Sequence, residues 1–86
     1  NAVVANSGGT VHVKENVDQI TVTGSDVKVL AKTAKKVSIQ GSNVKVFVER
    51  VSSVDFNGSD NEVEWANGSR PKINDNGSDN KVEKAD

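Results

Sequence analysis

The chain predicts an all-β fold, a short parallel β-solenoid (β-helix) of about five coils. Three observations point there. A Gly-Ser turn recurs, as "TGSDV" at 23–27, "QGSNV" at 40–44, "NGSDNEV" at 57–63 and "NGSDNKV" at 76–82. Its flanks alternate apolar and polar residues with period two, the mark of strands with one buried face. No useful window carries a 3.6-residue period, and "VLAKTAKK" at 29–36 has room for one helical turn at most.

Aligned on the turn glycine, the elements follow in order. Four residues before it stand Ile20, Val37, Val54 and Ile73, and two before it Val22, Ile39, Phe56 and a polar exception, Asp75. After it come Val27, Val44, Val63 and Val82, and two further on Val29, Val46, Trp65 and Lys84. The N-terminus supplies a degenerate copy: Val4, Asn6, Gly8, then Val11 and Val13. Gly24, Gly41 and Gly58 are 17 apart, Gly77 follows after 19, and the first interval is 16. Stacked coils turn these positions into internal columns, Ile20–Val37–Val54–Ile73 and Val11–Val27–Val44–Val63–Val82. Val17, Ala34 and Val51 suggest a third, smaller column, hence three short faces per coil, or two faces and a wide turn. Five coils at about 4.8 Å make a rod roughly 25 Å tall.

The alternative that fits is an antiparallel β-sandwich of repeated hairpins, each with Gly-Ser as its turn. The same residue types recurring in register at a short fixed period favour the solenoid. In the turn, glycine is expected to supply positive φ and the Asx residue to bond its own backbone. Asn61 and the loop "ANGSRP" at 66–71 lengthen the later coils, and Pro71 precedes a strand beginning at Ile73, where a missing N–H is tolerated. Trp65 is then either filler where the coil widens or a platform for stacking a ligand.

Composition agrees with a single repeat-built domain over residues 1–86. Hydrophobic residues make up 34% and aromatics 3%, poor material for an ordinary globule but enough for a narrow coil lined with Val and Ile. Residues 1–48 hold six lysines against three acids (+3), and residues 49–86 five cations against nine acids (−4), giving the net −1. Neither half is basic enough for nucleic acid, and no aromatics interleave with the cations. Without cysteine there are no disulfides or thiolate metal sites. No apolar run is long enough to span a membrane. The first residue is Asn rather than Met, so a processed or trimmed N-terminus is expected. The charged "VEKAD" at 82–86 is expected to discourage stacking through an open strand edge.

Few residues offer chemistry. His12 alternates with Val11 and Val13, so it points outward, in line with Lys28, Lys45, Glu64 and Glu83. Nothing supplies it with a sheltered nucleophile or acid, so no enzyme is expected. Asp26, Asn43, Asp60 and Asp79 occupy matching turn positions, where Asx residues satisfy their own backbone. Asp60 and Asp79 are the places for calcium if the turns bind it, but the spacing differs from calcium-loaded solenoids, and no cofactor is expected. Leu30 and Phe47 follow inward valines and should stack facing outward, with Lys14 and Ala66 extending their column. With Lys28, Lys45 and Trp65 they are the candidate ligand-binding residues, for a glycan or an anionic ligand. The sequon "NGS" occurs at Asn57, Asn67 and Asn76, but the repeat turn already explains two of the three.

The stretches "ITVTGSDVKV", "VDFNGSDNEVEW" and "INDNGSDNKVE" together resemble a bacterial domain family of unknown function. It consists of small exported proteins built on Gly-Ser-Asp/Asn-Asn-x-Val repeats. The second and third copies depart from that pattern by lacking the second Asn after the turn. The resemblance implies a secreted, periplasmic or cell-surface protein and brings no catalytic residues. The expected function is non-enzymatic, a structural or binding role in the envelope, with exposure as a surface antigen. The expected partner is a glycan or a protein at the cell surface.

Overall fold

A computed structural model describes residues 2–5 and 7–85 of the chain. Asn6 of the degenerate first copy and Asp86 of the terminal charged run lie outside the described residues. The elements are β1 (Ala2–Val4), β2 (Thr10–Val13), β3 (Val17–Val22), β4 (Lys28–Ile39), β5 (Lys45–Phe56), β6 (Glu62–Trp65), β7 (Lys72–Asp75) and β8 (Lys81–Lys84). Every pairing between them is parallel. That removes the hairpin alternative, which needs antiparallel partners on either side of each Gly-Ser turn. The chain is a β-solenoid of about five coils.

One stack of strands lies before the turns: β1, β3, the second half of β4, the second half of β5, and β7. The other lies after them: β2, the first halves of β4 and β5, then β6 and β8. In β4 the buried apolar residues are Val29, Ala31, Ala34, Val37 and Ile39, and in β5 Val46, Val48, Val51, Val54 and Phe56. Their spacing runs 2, 3, 3, 2 in both strands. A flat strand buries every second residue. Each step of three is therefore a corner that the chain rounds while still extended, and the coil has three short sides. The expected third column is real, with Val17 paired to Ala34 and Ala34 to Val51. The "AKTAKK" segment is strand inside β4, not a helical turn.

Two expected alignments shift. Val63 and Val82 continue the column of Val29 and Val46, not that of Val27 and Val44. Val11 joins the same column through Val29. The glycine alignment misleads because Asn61 is no insertion: it stands three residues after Gly58, as Val27 and Val44 stand three after Gly24 and Gly41. The two extra residues of the 19-residue step lie wholly in the 66–71 loop, between Trp65 and Lys72. The first step is 18 residues, set by Val4 opposite Val22 and Val11 opposite Val29, rather than 16.

The turn also works differently from expectation. Positive φ belongs to Asp26 (56°), Asn43 (54°), Asp60 (57°) and Asp79 (56°), not to the glycine before them. Asx residues tolerate this left-handed region better than other non-glycine residues. The glycine is required by close approach. A Cβ on Gly41 would fall on the carbonyl oxygen of Gly24, one on Gly58 on that of Gly41, and one on Gly77 on that of Gly58. The serines between pair along the stack, Ser25 to Ser42 to Ser59 to Ser78. The amides of Asp26, Asn43 and Asp60 donate to the carbonyls of Ser42, Ser59 and Ser78 at 3.1, 3.3 and 3.1 Å. Successive turns are thus hydrogen-bonded to one another.

The Asn pair changes the interior of the last turns. Asn61 is buried at 1% exposure. Its Oδ1 accepts from the Val44 amide at 3.0 Å, and its Nδ2 donates to the Gly41 carbonyl at 3.1 Å. Asn80 repeats this one coil on: Oδ1 accepts from the Asn61 amide at 3.0 Å, and Nδ2 donates to the Gly58 carbonyl at 3.1 Å. In the fifth coil the inward place of Val22, Ile39 and Phe56 goes to Asp75. Its Oδ1 accepts from Asn80 Nδ2 at 2.9 Å and from the Gly77 amide at 3.0 Å.

Trp65 stands in the column of Ala31 and Val48 and is 4% exposed. The longer loop beside it makes the room. Its indole N–H donates to the Gly68 carbonyl at 3.4 Å, and the buried Pro71 closes the loop.

Candidate functional site

In a solenoid, position along the chain becomes position along the stacking axis, so the charge division of the sequence turns into a division of the surface. On the outer side of the post-turn sheet, Lys28, Lys45, Glu62 and Lys81 align in one row. A second row runs His12, Leu30, Phe47, Glu64 and Glu83. His12 therefore sits beside Leu30, not in line with Lys28 and Lys45. Phe47 is followed by Glu64, where Ala66 had been expected. Coils one to three present His12, Lys28 and Lys45 outward; coils four and five present Glu62, Glu64 and Glu83, with Lys81 among them.

Leu30 and Phe47 lie side by side at this boundary, half-buried. A shallow groove of about 230 Å³ runs on one side, lined by Lys28, Lys45, Glu62 and Glu64. Another of about 350 Å³ lies on the other, with His12, Lys14, Lys32 and Glu49. The structure thus brings together four of the five expected binding residues. Trp65 is the correction. Buried on the inner side of the same sheet, it offers no open ring face for stacking.

The acids of this face repel one another. A hydrogen bond with Glu62 raises the pKa of Glu64 above the ordinary carboxylate value, with burial and the charges of Glu62 and Glu83 adding and Lys45 opposing. A raised native pKa means that the folded chain holds this proton more tightly than the unfolded chain does. Stability is then fullest in acid and falls as pH rises from the unfolded carboxylate value through the raised one. Glu64→Gln should therefore raise the melting temperature near pH ~7 and leave it unchanged near pH ~3, where both side chains are neutral. A melting series across pH checks this; an equal effect at both ends would mean packing, not charge. The Glu83 carboxylate, 2.8 Å from Lys81, in turn raises the pKa of that ammonium.

Asp60 and Asp79 follow one another in the turn column. Their groove, of about 260 Å³, also holds Glu62 and the lysines Lys45 and Lys81, whose charges oppose a cation. No group of three or more potential metal ligands of the His, Asp and Glu type occurs among the described residues. The turn role accounts for both aspartates through their φ, and for Asp60 also through its amide bond to the Ser78 carbonyl. No helix long and apolar enough to cross a membrane is present.

A concave feature that the sequence did not reveal lies at the far corner of the coils. It measures about 440 Å³ and is lined by Lys35, Arg50, Ser52, Asn67, Ser69 and Arg70, over Ala34 and Val51. Arg50 and Arg70 are the only arginines in the chain, which was the one available signal. They are 20 residues apart, off the repeat period, so alignment on the glycines separates them.

No curated protein and no solved structure matches the chain. A family model described as "Protein of unknown function (DUF3060)" matches residues 33–79, from the middle of β4 to the last Gly-Ser turn. That stretch is more than half of the 86 residues and contains three of the four turns; the chain belongs to this family.

Proposed function

We propose that the chain is a non-enzymatic binding module of the bacterial cell envelope, displayed outside the cytoplasm, where it is open to immune recognition. The observation that carries the binding role is the outer strip of Leu30 and Phe47. Two large apolar side chains stand together on a rigid sheet at the border between lysines and glutamates. Apolar contact flanked by charge of both signs suits a partner protein, since the apolar pair supplies affinity and the charges fix orientation. The envelope setting rests on the resemblance of the Gly-Ser turns to those of exported proteins. A structural role draws on the hydrogen-bonded turns, which make the surface stiff without a large core.

The non-catalytic reading is supported by His12, an exposed residue beside Leu30 with no nucleophile or acid paired to it among the described residues. The glycan reading of this face is weakened by Glu62 and Glu64, which share the groove with Lys28 and Lys45 and would oppose an anionic sugar.

Phe47→Ala tests the proposal. Capture of envelope proteins by the immobilised wild-type chain should be weakened about tenfold or more by this change, the loss typical of a central aromatic contact. Fold is checked by an unchanged circular dichroism spectrum. Equal capture by both proteins would remove the Leu30–Phe47 strip as the working surface. Recovery of the native protein from the cytoplasmic fraction of its cells would remove the envelope setting.

A further inference from the structure

The far-corner groove differs from every other concavity described above in one respect: no carboxylate lines it. Three cations from three successive coils converge there, Lys35 from β4, Arg50 from β5 and Arg70 from the loop before β7. Thr33, beside Arg50 across the strands, and Ser52, Ser69 and Asn67 supply neutral hydrogen-bonding groups. Ala34 and Val51 form an apolar floor.

The cations differ in how they are held. Lys35 has only a long contact to Asp18, 3.7 Å between two exposed side chains, worth little in water. Arg70 is positioned: its guanidinium carbon lies 5.8 Å from the centroid of the Trp65 ring, within cation–π range. That ring is fixed in turn by burial and by its bond to Gly68. The loop that widens the fourth coil therefore does more than make room for Trp65, because it carries Arg70 and Ser69 to the corner where Arg50 emerges. An arginine fork matches the two oxygens of a carboxylate, sulfate or phosphate, and hydroxyl and amide groups beside it match sugar hydroxyls.

We propose that this corner is a binding site for an oxyanion-bearing saccharide, with Arg50 and Arg70 gripping the anion and Ser52, Asn67 and Ser69 meeting its hydroxyls. The site is independent of the Leu30–Phe47 strip, from which it differs in every lining residue.

The test is an amide NMR titration of the whole chain with D-glucuronate, with oligomers of alginate, and with sodium sulfate at matched ionic strength. Saturable shifts are expected at residues 50–52 and 67–70 with both saccharides, together with a change in Trp65 fluorescence as Arg70 engages the ligand. The oligomers should bind more tightly than the monomer. Arg50→Ala and Arg70→Ala should each weaken binding roughly tenfold, as loss of a charge-assisted hydrogen bond dictates. Arg70→Lys, which keeps the charge and loses the fork, should recover only part of it. Both arginines are exposed, so unchanged melting temperatures would confirm that the variants are folded. Three results would overturn the site: shifts centred on Lys28 and Lys45, full affinity in the double arginine variant, or sulfate producing the same shifts as the saccharides. None of these bears on Phe47→Ala, so failure here leaves the protein-partner reading standing.

Discussion

Gly58→Ala should prevent the chain from folding cooperatively. The new Cβ would occupy the position of the Gly41 carbonyl oxygen, and neither atom belongs to a flexible side chain. To fit, the turns of the third and fourth coils must separate. That breaks the bonds between those turns, such as Asn43 to Ser59, and disturbs the Asn61 contact to Gly41. A loss of at least about 4 kcal/mol is expected, at the extreme of single substitutions and large against the total stability of a small domain. Gly41→Ala should behave alike. Gly68→Ala is the control. Its backbone sits at φ +88° with nothing within 4 Å of the added Cβ, so only backbone strain of about 1–2 kcal/mol is incurred. Urea unfolding followed by Trp65 fluorescence separates the two. If Gly58→Ala melts like Gly68→Ala, the turns do not approach as closely as described.

Asn61→Ala should be the second most damaging change, at about 2–4 kcal/mol. It leaves the Val44 amide and the Gly41 carbonyl without their partners inside the coil, and a buried unpaired polar group costs about 1–3 kcal/mol. Asn61→Val places in the fourth coil the residue that holds this column at Val27 and Val44. It restores apolar packing but not the bonds, so it should recover only part of the loss. Full recovery by Val would show that filling space, not hydrogen bonding, is what the position requires. Thermal melts of the three proteins give the order directly.

The fold class was legible because a solenoid imposes a rule on every coil, and Ile20, Val37, Val54 and Ile73 obey it without exception. The step that failed was local. Val63 and Val82 look like the natural successors of Val44 because they are the next valines after each turn, while Asn61 and Asn80 look like additions. Hydrophobicity alone cannot recognise an Asn as an interior residue. What makes it one is a pair of backbone groups, on Val44 and Gly41, that only the stacked structure brings within reach. The glycine was misread for a similar reason. Its commonest use is positive φ, and the crowding that fixes it here comes from a carbonyl 17 residues away.

The candidate surfaces divide in the same manner. Leu30 and Phe47 could be read as an outward pair because they break strict alternation in adjacent repeats at the same place. Arg50 and Arg70 could not, since a loop outside the repeat brings them to one corner. Trp65 was correctly placed inward by its period, and burial then decided between its two readings.

The constant stride of the pairings has a kinetic consequence. Each strand meets one about 17 to 19 residues away, so no contact needs the two ends of the chain to find each other. Folding of such a chain starts where two neighbouring coils first close a loop, and the entropy of that closure is the main barrier. The long partners β4 and β5 share the most extensive register and are the natural place to begin. From there each further coil docks on a template already formed, so order spreads outward in both directions. The outer coils are then the last to form and the first to open.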